Sequence, residues 1–170
     1  MPVSPSSNTF CTPALEVAAA LEQKARLKVA GLTGAAAALL IAELSTAAAR
    51  QLVVVTADQQ AADELTRELL FFDARGVNPF PAWDVAPFEA ASPHADISGA
   101  RLAALHLLRQ GSPGTLVLPV TALMQRVVPP VLLADVALSI RIGDDLDRNH
   151  LLEGLVRAGY QACSLVEERG

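Results

Sequence analysis

The chain has 170 residues, 52% of them hydrophobic, 18% charged and 4% aromatic, with a formal net charge of −5. That length and apolar content support one compact core with a small appended piece, while the charged fraction lies below the usual value of about 25%. The 13 Lys and Arg residues are scattered without a run, which argues against this chain gripping duplex DNA by itself, because such a surface needs clustered cations to release counterions.

The first residues, Met1 to Thr12, are Ser/Pro-rich and uncharged and read as a disordered leader over 1–13, without the basic and apolar regions of a signal peptide. No 18-residue apolar stretch is free of charge, so no transmembrane helix and no membrane association are expected. Cys11 and Cys163 stand far apart and outside any CxxC spacing. They read as free thiols in a reducing cytosol rather than a disulfide or zinc site, and a cytoplasmic protein fits.

The periodicity predicts a helix over 14–27, with Leu15, Ala18, Ala19 and Glu22 on one stripe, and then a short strand over Lys28 to Gly31. A helix over 35–50 follows. Gln51 to Ala57 is a β-branched run that reads as a buried parallel strand. Asp58 is placed to cap a helix running to about Ala74, with Ala62, Leu65, Leu69 and Phe72 on its core face and Gly76 at its end. Val77 to Phe80 reads as a short strand, followed by a Pro-rich loop, a helix over 95–109, a turn at Gly111–Gly114 and a strand at Thr115 to Val120. Beyond Pro129-Pro130 the texture changes. Val136 to Ile142 alternates like a strand, Asp147 caps a helix to about Ala158 that Gly159 stops, and Tyr160 to Val166 reads as a last strand. Alternating strands and helices predict an α/β fold with an open, mostly parallel sheet and flanking helices over 14–130. The start of a smaller α/β domain is expected over 131–170.

The segment Gly31-Leu32-Thr33-Gly34-Ala35-Ala36-Ala37-Ala38 has the layout of a phosphate-binding loop stripped of its chemistry. A working loop reads G-x-x-x-x-G-K-[ST], its Lys reaching the terminal phosphates and its hydroxyl holding Mg²⁺. Gly31 occupies the first position, but Ala36, Ala37 and Ala38 stand where Gly, Lys and Ser/Thr belong. Backbone N–H groups and the helix dipole alone can hold an anion weakly and cannot organise phosphoryl transfer. A plain Gly-x-x-Gly turn ahead of an Ala-rich helix is the bland alternative.

Three stretches taken together resemble one family: Leu32-Thr33-Gly34-Ala35-Ala36; Ala82-Trp83-Asp84-Val85-Ala86-Pro87-Phe88-Glu89 with Ser92-Pro93-His94-Ala95-Asp96-Ile97 and Arg101-Leu102; and Pro119-Val120-Thr121-Ala122-Leu123-Met124-Gln125-Arg126-Val127-Val128-Pro129. They are similar to the N-terminal region of the bacterial transcription-repair coupling factors (Mfd), itself similar to the first domains of the excision-repair protein UvrB. The resemblance covers about 14–170. It implies a UvrB-like fold with a degenerate phosphate loop at Gly31, Thr33, Gly34, Ala37 and Ala38, and hence no catalytic residue and no cofactor of this chain's own. It also implies that ATP and Mg²⁺, the DNA-translocating motor and the contacts with RNA polymerase and DNA belong to other parts of the family's polypeptide. The region from 131 onward then resembles the first part of a domain that docks UvrA.

Trp83, Phe88, Arg101 and Arg126 form a candidate interaction surface, since Trp and Phe favour interface cores. Plain packing of the long loop by Phe80, Trp83 and Phe88 remains open beside that reading. So does the choice for Arg101 and Arg126 between pairing with carboxylates and simple solvation. Asp144, Asp145 and Asp147 lack calcium-loop spacing and read as turn and cap residues, and no His pattern points to a metal. An active nucleotide-binding enzyme and a purely structural α/β domain stay as alternatives to a non-catalytic interaction module.

Overall fold

The computed structural model describes residues 12–23, 26–47, 50–72, 74, 76–86, 88–89, 91–111, 113–136, 140, 142–161 and 163. Three parallel strands, β1 (Gln51–Thr56), β2 (Val77–Pro79) and β3 (Gly114–Pro119), form an open sheet in the order β1-β3-β2. Val53 and Val55 of β1 lie opposite Leu116 and Leu118 of β3, and Asn78 of β2 also lies opposite Leu116. With neighbours on both edges, β3 is buried from Thr115 through Pro119 without alternation, as expected of a parallel strand covered on both faces.

The two faces of β3 carry different cores. Val117 packs with Ala38, Ala42, Ala62 and Leu69 from α2 (Ala36–Ala47) and α3 (Gln59–Phe71), and α1 (Thr12–Gln23) lies against α2. On the opposite face Leu116 and Leu118 pack with Phe80, Ala104 and Ala122, the last two from α4 (Ala95–Gln110) and α5 (Val120–Leu123).

Several expectations hold in detail. The Asp58 carboxylate accepts a hydrogen bond from Ala61 N at 2.8 Å and caps α3. Leu65 and Phe72 join Ala62 and Leu69 on the face packed against Val117. The helix stops at Phe71, however, and Gly76, at φ +54°, instead leads into β2. There it approaches Gly114 so closely that a Cβ on Gly114 would lie 2.9 Å from the Gly76 oxygen, the same oxygen that accepts from Thr115 N at 3.0 Å. Only glycine tolerates that approach.

Other expectations are corrected. No strand forms over Lys28 to Gly31, because Gly31 at φ +82° turns the backbone out of the extended region and no described strand offers itself as a partner. β1 is not fully buried: Val53 and Val55 are 54% and 46% exposed, since β1 is one of the two edges among the described strands while α4 packs on β2, the other edge. The chain after Pro129 forms helix α6 (Pro130–Val136), Pro130 taking the first helical position where its fixed φ and missing N–H suit the turn. Val136 therefore ends a helix, and Ile140 and Ile142 carry no strand, while 137–139 and 141 lie outside the described residues. The expected last strand, like the expected leader, falls mostly outside them too, and Tyr160, Gln161 and Cys163 are not in a strand. Helix α1 begins at Thr12 and ends at Gln23, short of Leu27. Among the described residues no helix is long and apolar enough to cross a membrane.

Helix α7 (Arg148–Arg157) is capped as expected. One Asp147 carboxylate oxygen accepts from Asn149 N at 2.7 Å and His150 N at 3.1 Å. The bond from His150, then that from Asn149, holds the Asp147 carboxyl below its ordinary value. A depressed folded-state pKa stabilises the cap above the unfolded carboxylate pKa of about 3.9, and this support is lost as pH falls through the lower folded value. The Asn149 and His150 amides are therefore expected to lose hydrogen-exchange protection on acidification below about pH 4, and in Asp147→Asn that pH dependence should vanish.

Candidate functional site

The glycine loop lies on the α2 side of the sheet. Gly31 and Gly34 both take positive φ, +82° and +54°, and the Thr33 oxygen accepts from Ala36 N at 3.2 Å as α2 starts. Gly31, Thr33 and Gly34 are exposed and Ala37 is half-buried. Ala38, at the position of the metal-binding hydroxyl, has 0% exposure and packs with Ala42, Ala62 and Val117. The loop thus offers backbone amides but no ammonium and no hydroxyl at its key positions, and position 38 faces core rather than a ligand. Small side chains here let α2 lie close against α3.

The second candidate region lies on the opposite face, where the long loop after β2 crosses α4. Arg101 is central. It sits on the apolar stripe of α4 with Ala104, Leu105 and Leu108, and it is only 2% exposed. Its guanidinium lies 4.1 Å from the centre of the Phe80 ring and 4.3 Å from that of Trp83, sandwiched between two π-faces that attract a cation. One terminal nitrogen, Nη1, donates to the Pro81 carbonyl at 2.6 Å and to Gln125 Oε1 at 3.2 Å. The other, Nη2, is buried and has no hydrogen-bond partner among the described residues. Burial pulls the Arg101 pKa below the ordinary arginine value, though the group remains charged at neutral pH.

Two glutamines and a carboxylate tether the rest of the loop. Gln125 Oε1 also accepts from Trp83 N at 2.9 Å, and Gln59 Oε1 accepts from Ala82 N at 3.2 Å. The Asp84 carboxylate accepts from His94 N at 3.3 Å just ahead of α4, whose first turn holds Asp96. Between this loop, α4 and the segment after α5 lies a pocket of about 260 Å³, lined by Trp83, Arg101 and Arg126 with walls from Leu102, Leu105, Val127 and Val128.

Of the four residues singled out as a surface, three are brought together here: Trp83, Arg101 and Arg126. Phe88 is not, being 99% exposed and outside the lining of the pocket. Gln59 and Gln125 are the residues that sequence reasoning missed. For Arg101 a signal existed, namely a cation in register with the apolar positions of a helix. Among the described residues no group of three or more His, Cys, Asp or Glu could hold a metal ion.

Together these features define an open parallel α/β domain, with an alanine-filled helix-start loop on one face and a cationic, aromatic-lined pocket on the other. No protein-family model matches the chain. Over 166 residues, 93% of its length, it is 38% identical to the transcription-repair-coupling factor of Myxococcus xanthus. The proteins of the same name from Haemophilus influenzae and Escherichia coli strain K12 are each 38% identical to it, over 78% and 82% of its length. The chain belongs to the transcription-repair-coupling-factor family. It spans only 12–14% of the length of these three relatives.

Two substitutions test the two regions. Arg101→Lys keeps the charge but loses the planar fork and its stacking, and is expected to cost about 1–3 kcal/mol of unfolding free energy in denaturant titrations. Ala38→Thr forces a branched side chain into a filled core and is expected to cost about 1–3 kcal/mol by the same measurement.

Proposed function

We propose that the chain serves as a non-catalytic interaction module of a transcription-repair coupling factor, helping to bring nucleotide excision repair to a stalled RNA polymerase. The observation that carries this reading is the loop Gly31–Ala38: in a chain that aligns with coupling factors along most of its length, the positions needed for phosphate and Mg²⁺ hold Ala37 and a core-facing Ala38. Phosphoryl transfer depends on charge neutralisation and positioning, and these residues supply neither. In this reading ATP hydrolysis, translocation on DNA and the polymerase contact belong to other domains of the whole protein. The partner of the region from about residue 131 onward is UvrA, with residues beyond 170 contributing to the contact.

The decisive experiment is a titration of the purified chain with a fluorescent ATP analogue and Mg²⁺. No saturable binding at micromolar nucleotide is expected, and saturable binding there would overturn the non-catalytic assignment. A longer chain that continues through the complete docking domain is expected to bind UvrA at micromolar concentration, and its failure to do so would sink the recruitment role.

A further inference from the structure

Arg101 presents an imbalance that the fold does not resolve. The guanidinium of an arginine that is only 2% exposed normally faces a carboxylate, because burying an unpaired charge is costly. Here the described partners are a carbonyl, a neutral glutamine and two aromatic rings, and Nη2 has none among the described residues. The residue lines a pocket that also carries the exposed Arg126 and whose walls, beside Trp83, are aliphatic among the described residues. The rim continues in sequence into further exposed apolar side chains, Leu123, Met124, Val131 and Leu132.

The geometry points to a binding site for a carboxylate, supplied by an Asp or Glu side chain of a protein segment with apolar neighbours. The carboxylate pairs with Arg101 and Arg126 inside the pocket, and the flanking side chains lie on Leu102, Leu105, Val127 and Val128. Three observations favour this occupant. A guanidinium stacked between two rings with one terminal nitrogen left without a partner among the described residues is suited to charge-assisted recognition of a planar carboxylate. The pocket volume of about 260 Å³ suits one side chain with its backbone. The aliphatic walls reward apolar neighbours, whereas the net charge of −5 repels a polyanion such as nucleic acid. The site lies across the sheet from the glycine loop and does not depend on the coupling-factor role.

Trp83 is the chain's sole tryptophan and lies in the pocket wall, so its fluorescence reports occupancy. The test titrates the chain at constant ionic strength with N-acetyl-Leu-Glu-Leu-amide and, separately, with the Gln analogue. The Glu peptide is expected to give a saturable change, with the Gln analogue about tenfold weaker because it lacks the charge. Arg126→Gln, at the exposed rim, should leave the thermal midpoint unchanged, weaken the Glu peptide several-fold and leave the Gln peptide unaffected. Equal binding of the two peptides, no effect of Arg126→Gln, or no saturable change with either would overturn the proposal. An equal response to acetate alone would show a site for small carboxylates rather than a protein segment. A stronger response to inorganic phosphate or to oligothymidylate would make it a phosphate site; both results overturn the assignment. Failure here leaves the nucleotide and UvrA tests untouched, so the two readings fall separately.

Discussion

The central position of β3 is the constraint on which the rest of this domain depends. A parallel strand with hydrogen-bonded neighbours on both edges has its backbone groups satisfied within the sheet, and its side chains can then be buried on both faces. That is why Thr115 to Pro119 are buried in succession. The pleat sends Val117 to one helical layer and Leu116 and Leu118 to the other. Each core is built on side chains of the same six residues, so a disturbance of β3 reaches both, while the strand itself separates the glycine loop from the arginine pocket. The Gly76–Gly114 approach sets where that strand begins.

The loop between β2 and α4 is long and Pro-rich, with little regular structure to hold it. Its order comes from a few polar side chains reaching in from flanking elements: Gln59 at the start of α3, Arg101 on α4 and Gln125 after α5. The glutamines satisfy backbone donors at little desolvation cost. Arg101 satisfies a backbone acceptor and adds two cation–π contacts that offset part of its burial. A lysine would do this less well, because a point ammonium has no planar face to stack between two rings.

Much of the framework was legible because its signals are local. The β-branched run at 51–57, the Asp58 and Asp147 caps and the apolar stripe of α3 all rest on a residue's own neighbours along the chain. What failed depended on distant partners or on competing local chemistry. Lys28 to Gly31 looks extended but has no strand to pair with among the described residues, and Gly31 turns away. The alternation from Val136 was a weaker signal than Pro130, which starts a helix that takes in Val136. The exposure of Val53 and Val55 follows from strand order, which no periodicity encodes. In the pocket, Trp83 was marked out by its residue type and Arg101 and Arg126 by their place in the family-like stretches, but the burial of Arg101 is set by the loop about Phe80 to Trp83. Gln59 and Gln125 carried no signal, since a glutamine looks the same whether solvated or tethering.

Ala38 has a historical consequence. If this loop descends from one that held nucleotide, its loss of function has become difficult to reverse. The site no longer merely lacks a hydroxyl, because α2 now closes on α3 and β3 through Ala38, Ala42 and Ala62, and the space a larger side chain needs is filled by the core. Regaining the ancestral residue would damage the fold before it restored any chemistry, so reversion would require several changes at once. Packing of this kind acts as an evolutionary ratchet, fixing a domain in its later role.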